Sequence, residues 1–477
     1  MPSFFKRNKK APEADAAPPT TAHSQDVPDL PASMSQRRPD AASMPYIPRN
    51  PSNLSFAGPV YQNHLGGADL RKQPRPFKSY RLRGEREQPW VTDPRMKKTK
   101  VGNWITFSFM MIGIIVSGYI MYTGVQEAKI PDQCLIMEDH FEKIDPANWG
   151  YEIQTGNYGN GEFDWTTDDP KNSFVDAEGL HIVPTLTTES TNITPEQLMN
   201  GYTLNITKTS GDGSCTSDDY KSCGVRSNAT IGTIIPPVRS ARMTTKGKKT
   251  IKYGRVEVVA KTAKGDWLWP AIWMMPQDSV YGEWPRSGEI DIAEFRGNNY
   301  SYPEGRDFVS STLHWGPDYK HDGYIHTHGQ SFFRRTDFAS SWHTFGLEWT
   351  ENYIMMYLDG RLKQVMYYKF SDKNSLWTKG GFSGVTTSNG TLIDDPWKQG
   401  GKNAPFDEKF YLILNVAVGA QNGWFFDGEG NKPWVDGSDF AARDFWNAKD
   451  QWLPSWGKGT ERGMTVKSVK MWQAGKC

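Results

Sequence analysis

Residues 286–297 read RSGEIDIAEFRG, and three carboxylates, Glu289, Asp291 and Glu294, fall within six positions of that stretch. β-Branched Ile290 and Ile292 follow Gly288, which favours a strand. A helix would set Glu289 and Glu294 roughly 140° apart at about 100° per residue, with no shared site. A regular strand puts Glu289 and Asp291 on one face and Glu294 on the other. A single-residue bulge near Ala293 returns Glu294 to the face of the first two. Such a row reads as an acid and a nucleophile with a shorter Asp between them, able to split the pKa values of the pair. It equally fits a solvated strand edge that resists edge-to-edge pairing.

The same strand character recurs on both sides. YGRVEVVAK (253–261), HTFGLEWT (343–350) and YIMMYLDGRL (353–362) are short runs bounded by turn residues, with Asp359-Gly360 offering a hairpin turn. FYLILNVAV (410–418) is almost wholly apolar and suits a strand buried on both faces. The Gly- and Asn-rich stretch 419–440 reads as a rim loop. These runs predict an all-β fold, a single β-sandwich over residues 130–477.

The first 100 residues are rich in Pro, Ala, Ser and charge and cannot bury enough apolar surface to fold, so 1–100 is expected to be a disordered tail. Residues 101–125, VGNWITFSFMMIGIIVSGYIMYTGV, carry no charge and are long enough to cross a bilayer as one helix. Residues 71–100 hold eleven Lys and Arg, whereas QEAKIPDQ after the apolar run has only Lys129. The charge contrast predicts a type II orientation: a cytosolic tail, contact with lipid through one helix, and a lumenal or extracellular sandwich in the secretory pathway or at the cell surface. All four cysteines, Cys134, Cys215, Cys223 and Cys477, lie beyond that segment, as do sequons at Asn192, Asn205, Asn228, Asn299 and Asn389. The expected disulfides are Cys215–Cys223 and Cys134–Cys477, the second tying the first strand to the last residue. With 55 basic and 54 acidic residues the balance suggests no nucleic-acid partner. The cysteine spacing fits no common zinc motif, and neither metal nor cofactor is expected. Oligomeric state is not readable. Seventeen of the nineteen tryptophans follow residue 126, which suits either a heavy core or a cleft that stacks sugar rings.

The carboxylates sit inside WLWPAIWMMPQDSVYGEWPRSGEIDIAEFRGN (267–298), and here the chain resembles glycoside hydrolase family 16, the laminarinase-type β-1,3-glucanases and related glucan-recognition proteins. Further matching stretches are NGEFDWTT (160–167), PPVRSARMTT (236–245), KYGRVEVVAK (252–261), STLHWGP (311–317), WHTFGLEWT (342–350), FYLILNVAVG (410–419) and DQWLPSWG (450–457). The resemblance implies a jelly-roll sandwich acting on β-glucan by double displacement. Glu289 matches the nucleophile, Asp291 the assisting carboxylate and Glu294 the general acid/base. Trp269, Trp273 and Trp284 match aromatics of the glucan cleft, and Asn160, Arg255 and His314 its polar residues. Phe295 departs from relatives that carry a small polar residue there and is expected to reshape the cleft or tune Glu294; Met356 stands where an aromatic is common. An endo-β-1,3-glucanase is expected, with a transglycosylase, a non-hydrolytic recognition protein or a wall-assembly scaffold as the alternatives.

Overall fold

The computed structural model describes residues 80, 83–127, 129–156, 158–371, 373–387 and 389–477. Most of the expected disordered tail, together with Asn53, lies outside the described residues. The chain divides into two units, Met1–Pro89 and Trp90–Cys477. Few residues of the first are described; the second contains everything below.

The apolar segment is one helix, Met96–Glu127, longer at both ends than the 101–125 expected from uncharged residues alone. Lys97, Lys98 and Lys100 join its first turns because Lys is a good helix former, and a turn just before it has Asp93 Oδ1 accepting the Arg95 N–H at 2.8 Å. The helix is long and apolar enough to cross a membrane.

Two eight-stranded sheets dominate the rest. One runs Gln364–Lys369, Tyr353–Leu358, His343–Trp349, Gly254–Lys261, Met464–Ala474, Gly179–Ile182, Ser173–Asp176, with Gln133–Asp139 also pairing Met464–Ala474. The other, the site sheet, runs His328–Phe332, Phe308–His314, Glu289–Glu294, Leu268–Pro276, Phe410–Val418, Arg242–Thr244, Gly150–Tyr151, with Thr250–Ile251 also pairing Phe410–Val418. Their facing sides bury one continuous core, with Val256, Val258, Leu347 and Met356 from the first sheet and Ile272, Met274, Ile290 and Leu414 from the second. Period-two alternation sorts each strand. In Leu268–Pro276, Ile272 and Met274 enter the core while Trp269 and Trp273 point the other way. Phe410–Val418 is buried along its whole length, with Asn415 and Ala417 of its outer face on the cleft floor. At the turn after Tyr353–Leu358, Asp359 adopts φ 61°, which the short polar side chain of an Asp tolerates.

Both expected disulfides are present, Cys134–Cys477 and Cys215–Cys223. The second staples a segment holding the two-stranded sheet Asn200–Asn205 with Gly224–Asn228.

Two expectations need correction here. Arg255 does not reach the site sheet. It belongs to Gly254–Lys261, where Val256, Val258 and Ala260 take the core positions and push the odd-numbered residues to the outer face. There its guanidinium stacks 3.9 Å from the Trp472 ring centre and sits 3.8 Å from Glu257. Phe295 does not reshape the cleft either. It is 1% exposed and packs edge-on against Phe345, with ring centres 5.0 Å apart, because the residue after Glu294 returns to the core side.

Candidate active site

The carboxylate strand carries a bulge. Ala293 pairs with Ile272 and Asp291 with Trp273, so Ile292 is the extra residue; on the other side, Asp291 pairs with Thr312 and Glu294 with Ser310. The extra residue cancels the odd spacing, and Glu289, Asp291 and Glu294 all open into one cleft above the site sheet. Ile290, Ile292 and Ala293 fill the core beneath.

Each glutamate accepts an indole N–H. Trp284 Nε1 donates to Glu289 Oε2 at 2.5 Å, and Trp269 Nε1 to Glu294 Oε1 at 3.2 Å. Burial first, then the charge of Asp291, pushes both glutamates above the ordinary carboxylate range. The shorter bond favours the ionised form at Glu289 more than the longer one does at Glu294. His314 faces Asp291 Oδ2 at 3.2 Å and Asp322 Oδ2 at 2.5 Å. Its burial works against a charge, but contacts with Asp291 and Asp322, and the charge of Glu289, hold its pKa well above the usual histidine value. An imidazolium therefore stands against three carboxylates, and its charge opposes the upward shift of both glutamates.

The cleft floor follows from strand alternation. Trp273 Nε1 donates to Asn415 Oδ1 at 2.8 Å, and Trp269 stacks on Trp424 at 4.7 Å between ring centres. Trp424 comes from the 419–440 rim, which a lysine with a fully buried side chain organises: Lys432 Nζ holds Asp427 at 2.7 Å and Asp436 at 2.5 Å and donates to the Phe425 carbonyl at 2.8 Å. Asn160 also reaches the cleft, donating to Glu162 Oε1 at 3.1 Å and accepting from Asn422 at 3.0 Å.

The sequence reading had missed Arg242 and Glu162. Arg242 takes the place expected of Arg255: its guanidinium lies 4.5 Å from the Trp273 ring centre, 4.2 Å from that of Tyr158, and 2.6 Å from Glu152. The stretch PPVRSARMTT contained it, but strand length alone does not say which arginine faces a cleft. Glu162 is raised in pKa by burial, and its Oε2 has no hydrogen-bond partner among the described residues. Its only sequence signal was proximity to Asn160. Among the sequons, Asn192, Asn228, Asn299 and Asn389 are exposed and Asn205 is half-buried, its amide donating to the Ser210 carbonyl at 3.1 Å.

A model of glycosyl hydrolases family 16 matches residues 184–381. The chain is 39% identical over 379 residues to a protein named beta-1,3-glucan-binding protein from Penaeus monodon, spanning 76% of this chain and 98% of that one. It is 40% identical over 190 residues to a glucan endo-1,3-beta-glucosidase from Cryptopygus antarcticus, spanning 40% of this chain and 57% of the relative. Among solved structures, the laminarinase catalytic domain from Thermotoga maritima gives a TM-score of 0.42 at 24% identity over 72% of this chain and 100% of that domain. With identity of that extent along nearly the whole of one relative, and the family model lying across the strand that bears the three carboxylates, the chain belongs to glycosyl hydrolases family 16.

Proposed function

We propose that this protein is a retaining endo-β-1,3-glucanase held at a membrane with its cleft on the extracytoplasmic side. The observation that carries the reading is the bulged strand: one extra residue brings Glu289, Asp291 and Glu294 into a single cleft, each glutamate under its own indole N–H. In that reading Glu289 attacks the anomeric carbon while Glu294 protonates the departing glycosidic oxygen. Glu294 then takes a proton from the water that releases the sugar from Glu289. Asp291, between them, keeps the two pKa values raised, and the imidazolium of His314 limits how far Glu289 rises. Trp273 and Trp269 offer ring faces to pyranoses, and the carboxylate of Glu162 and the guanidinium of Arg242 offer hydroxyl partners. The names of the relatives supply β-1,3-glucan as the polymer. The long apolar helix, the basic residues before it, the two disulfides and the exposed sequons support the membrane placement.

A second reading, recognition of β-glucan without cleavage, is favoured by the 39% identity to a protein named for binding. One experiment separates them. The purified protein is incubated with laminarin and the first reducing ends are followed by proton NMR. β-Anomers appearing first support retaining hydrolysis, α-anomers first refute retention, and saturable binding with no new reducing ends selects recognition.

A further inference from the structure

His314 has a carboxylate at each ring nitrogen, and the one on the Nδ1 side belongs to a turn outside the carboxylate strand. Asp322 is well fixed: its side chain is 11% exposed, and while Oδ2 takes Nδ1 of His314 at 2.5 Å, Oδ1 accepts the backbone N–H groups of Trp315 and Tyr324, each at 3.2 Å. The turn itself is tight. Gly323 N–H donates to the Trp315 carbonyl at 2.7 Å, and a Cβ at Gly323 would come within 2.6 Å of the Trp315 ring. Trp315 is pinned in turn by its Nε1 bond to Thr327 Oγ1 at 2.8 Å. The rings of Tyr324 and Trp284 lie 5.5 and 5.8 Å from the imidazole centre and restrict its rotation.

A histidine that bonds one carboxylate through Nδ1 and has a second within ion-pairing distance of Nε2 is favoured as the cation. We propose that Asp322 is a positioning residue for the cleft: by holding Nδ1 of His314 it keeps the ring, with Nε2 3.2 Å from Asp291, as a positive charge beside Glu289. The inference rests on the glycosidase reading of the same cleft and extends it to a residue that touches no reacting atom.

The charged and titratable groups around His314 give the sign. Asp291, Glu289 and Glu294 face it from the carboxylate strand, Asp322 from the turn, and His328 from the edge strand, where it meets Thr312 Oγ1 at 3.0 Å. Removing the Asp322 charge leaves His314 with less to hold its proton, so it loses that proton at lower pH. A neutral His314 no longer favours the Glu289 carboxylate, so Glu289 ionises at higher pH. The acid limb of kcat/KM then moves upward, and the alkaline limb set by Glu294 moves the same way.

The test uses the full-length protein labelled at histidine 13Cε1, with the His314 resonance assigned by its absence in His314→Gln. In Asp322→Asn the His314 titration midpoint falls, and the acid limb on laminarin rises by on the order of one pH unit, about a tenfold loss below that limb. KM at the plateau stays close to wild type, and Asp322→Glu returns both midpoints toward it. An unchanged His314 midpoint in Asp322→Asn overturns the proposal, as does an unmoved acid limb once His314 has shifted. Where Asp322→Asn does not fold, His314→Gln carries the test. It removes the cation and leaves the backbone bonds of Asp322 in place, so the same rise in the acid limb supports the proposal and an unmoved limb overturns it. Should the wild type turn over no glucan, the NMR midpoint alone decides whether Asp322 holds His314, and the glycosidase reading fails separately.

Discussion

Replacing Trp284 by phenylalanine removes the N–H that lies 2.5 Å from Glu289 Oε2 and keeps a ring of similar position. A hydrogen bond to a charged group contributes about 1.5–3 kcal/mol. The Trp284 side of this one is open to water, with the residue 41% exposed, so the lower end of that range applies. At about 1.36 kcal/mol per pKa unit, the loss raises Glu289 by roughly one unit. The sign is upward because the bond stabilises the carboxylate and not the acid. In the free enzyme the acid limb of kcat/KM reports ionisation of the group that must be charged, so that limb moves roughly one pH unit higher while the alkaline limb stays. Initial rates of reducing-end release from laminarin, measured across the pH range at substrate well below KM, give the profile directly. Trp269→Phe is the companion variant: it acts on Glu294 through the 3.2 Å bond and displaces the alkaline limb upward, by less. An acid limb that stays in place in Trp284→Phe, with only KM increased, would show that Trp284 is a wall of the cleft with no hold on Glu289.

Glu289→Gln should lower turnover by on the order of 10³-fold or more and leave laminari-oligosaccharide affinity, measured by calorimetry, nearly unchanged; substantial residual turnover places the nucleophile elsewhere. Trp273→Ala should mainly raise KM, about tenfold from the lost ring face, with kcat changed less. The double variant Cys134→Ser/Cys477→Ser opens a loop closed over 343 residues and should lower the thermal midpoint, the chain-entropy model setting an upper figure of roughly 6 kcal/mol; an unchanged melt refutes a stabilising role. In sealed microsomes, added protease should remove the N-terminal tail and spare the sandwich, with sugar on the exposed sequons Asn192, Asn228, Asn299 and Asn389 and none on Asn53; sugar on Asn53 inverts the orientation.

Much of the cleft was legible because its information is local. The E-x-D-x-x-E spacing cannot serve one face without an extra residue, and the ladder supplies it at Ile292, one position from where the spacing alone put it. Strand alternation likewise settles that Trp269 and Trp273 share a face. What stayed hidden depends on which sheet a strand joins. Arg255 and Arg242 sit in runs of similar strand character, and only the pairing of Gly254–Lys261 with His343–Trp349, against that of Arg242–Thr244 with Phe410–Val418, separates an outer face from a cleft wall. Glu162 and Asp322 come from loops, and a loop residue carries no periodicity to say where it points. Trp424 depended on the buried Lys432, whose three partners lie in a stretch that composition marks only as loop.

The Cys134–Cys477 bridge has a mechanical consequence. Residues 128–132 are all that separate the Met96–Glu127 helix from the strand Gln133–Asp139, which runs antiparallel to Met464–Ala474. Tension arriving along the helix meets Cys134 at once and divides between two strands that cannot slide apart, because the bridge joins them where the force enters. Peeling these two strands apart from that end requires the bridge to break first.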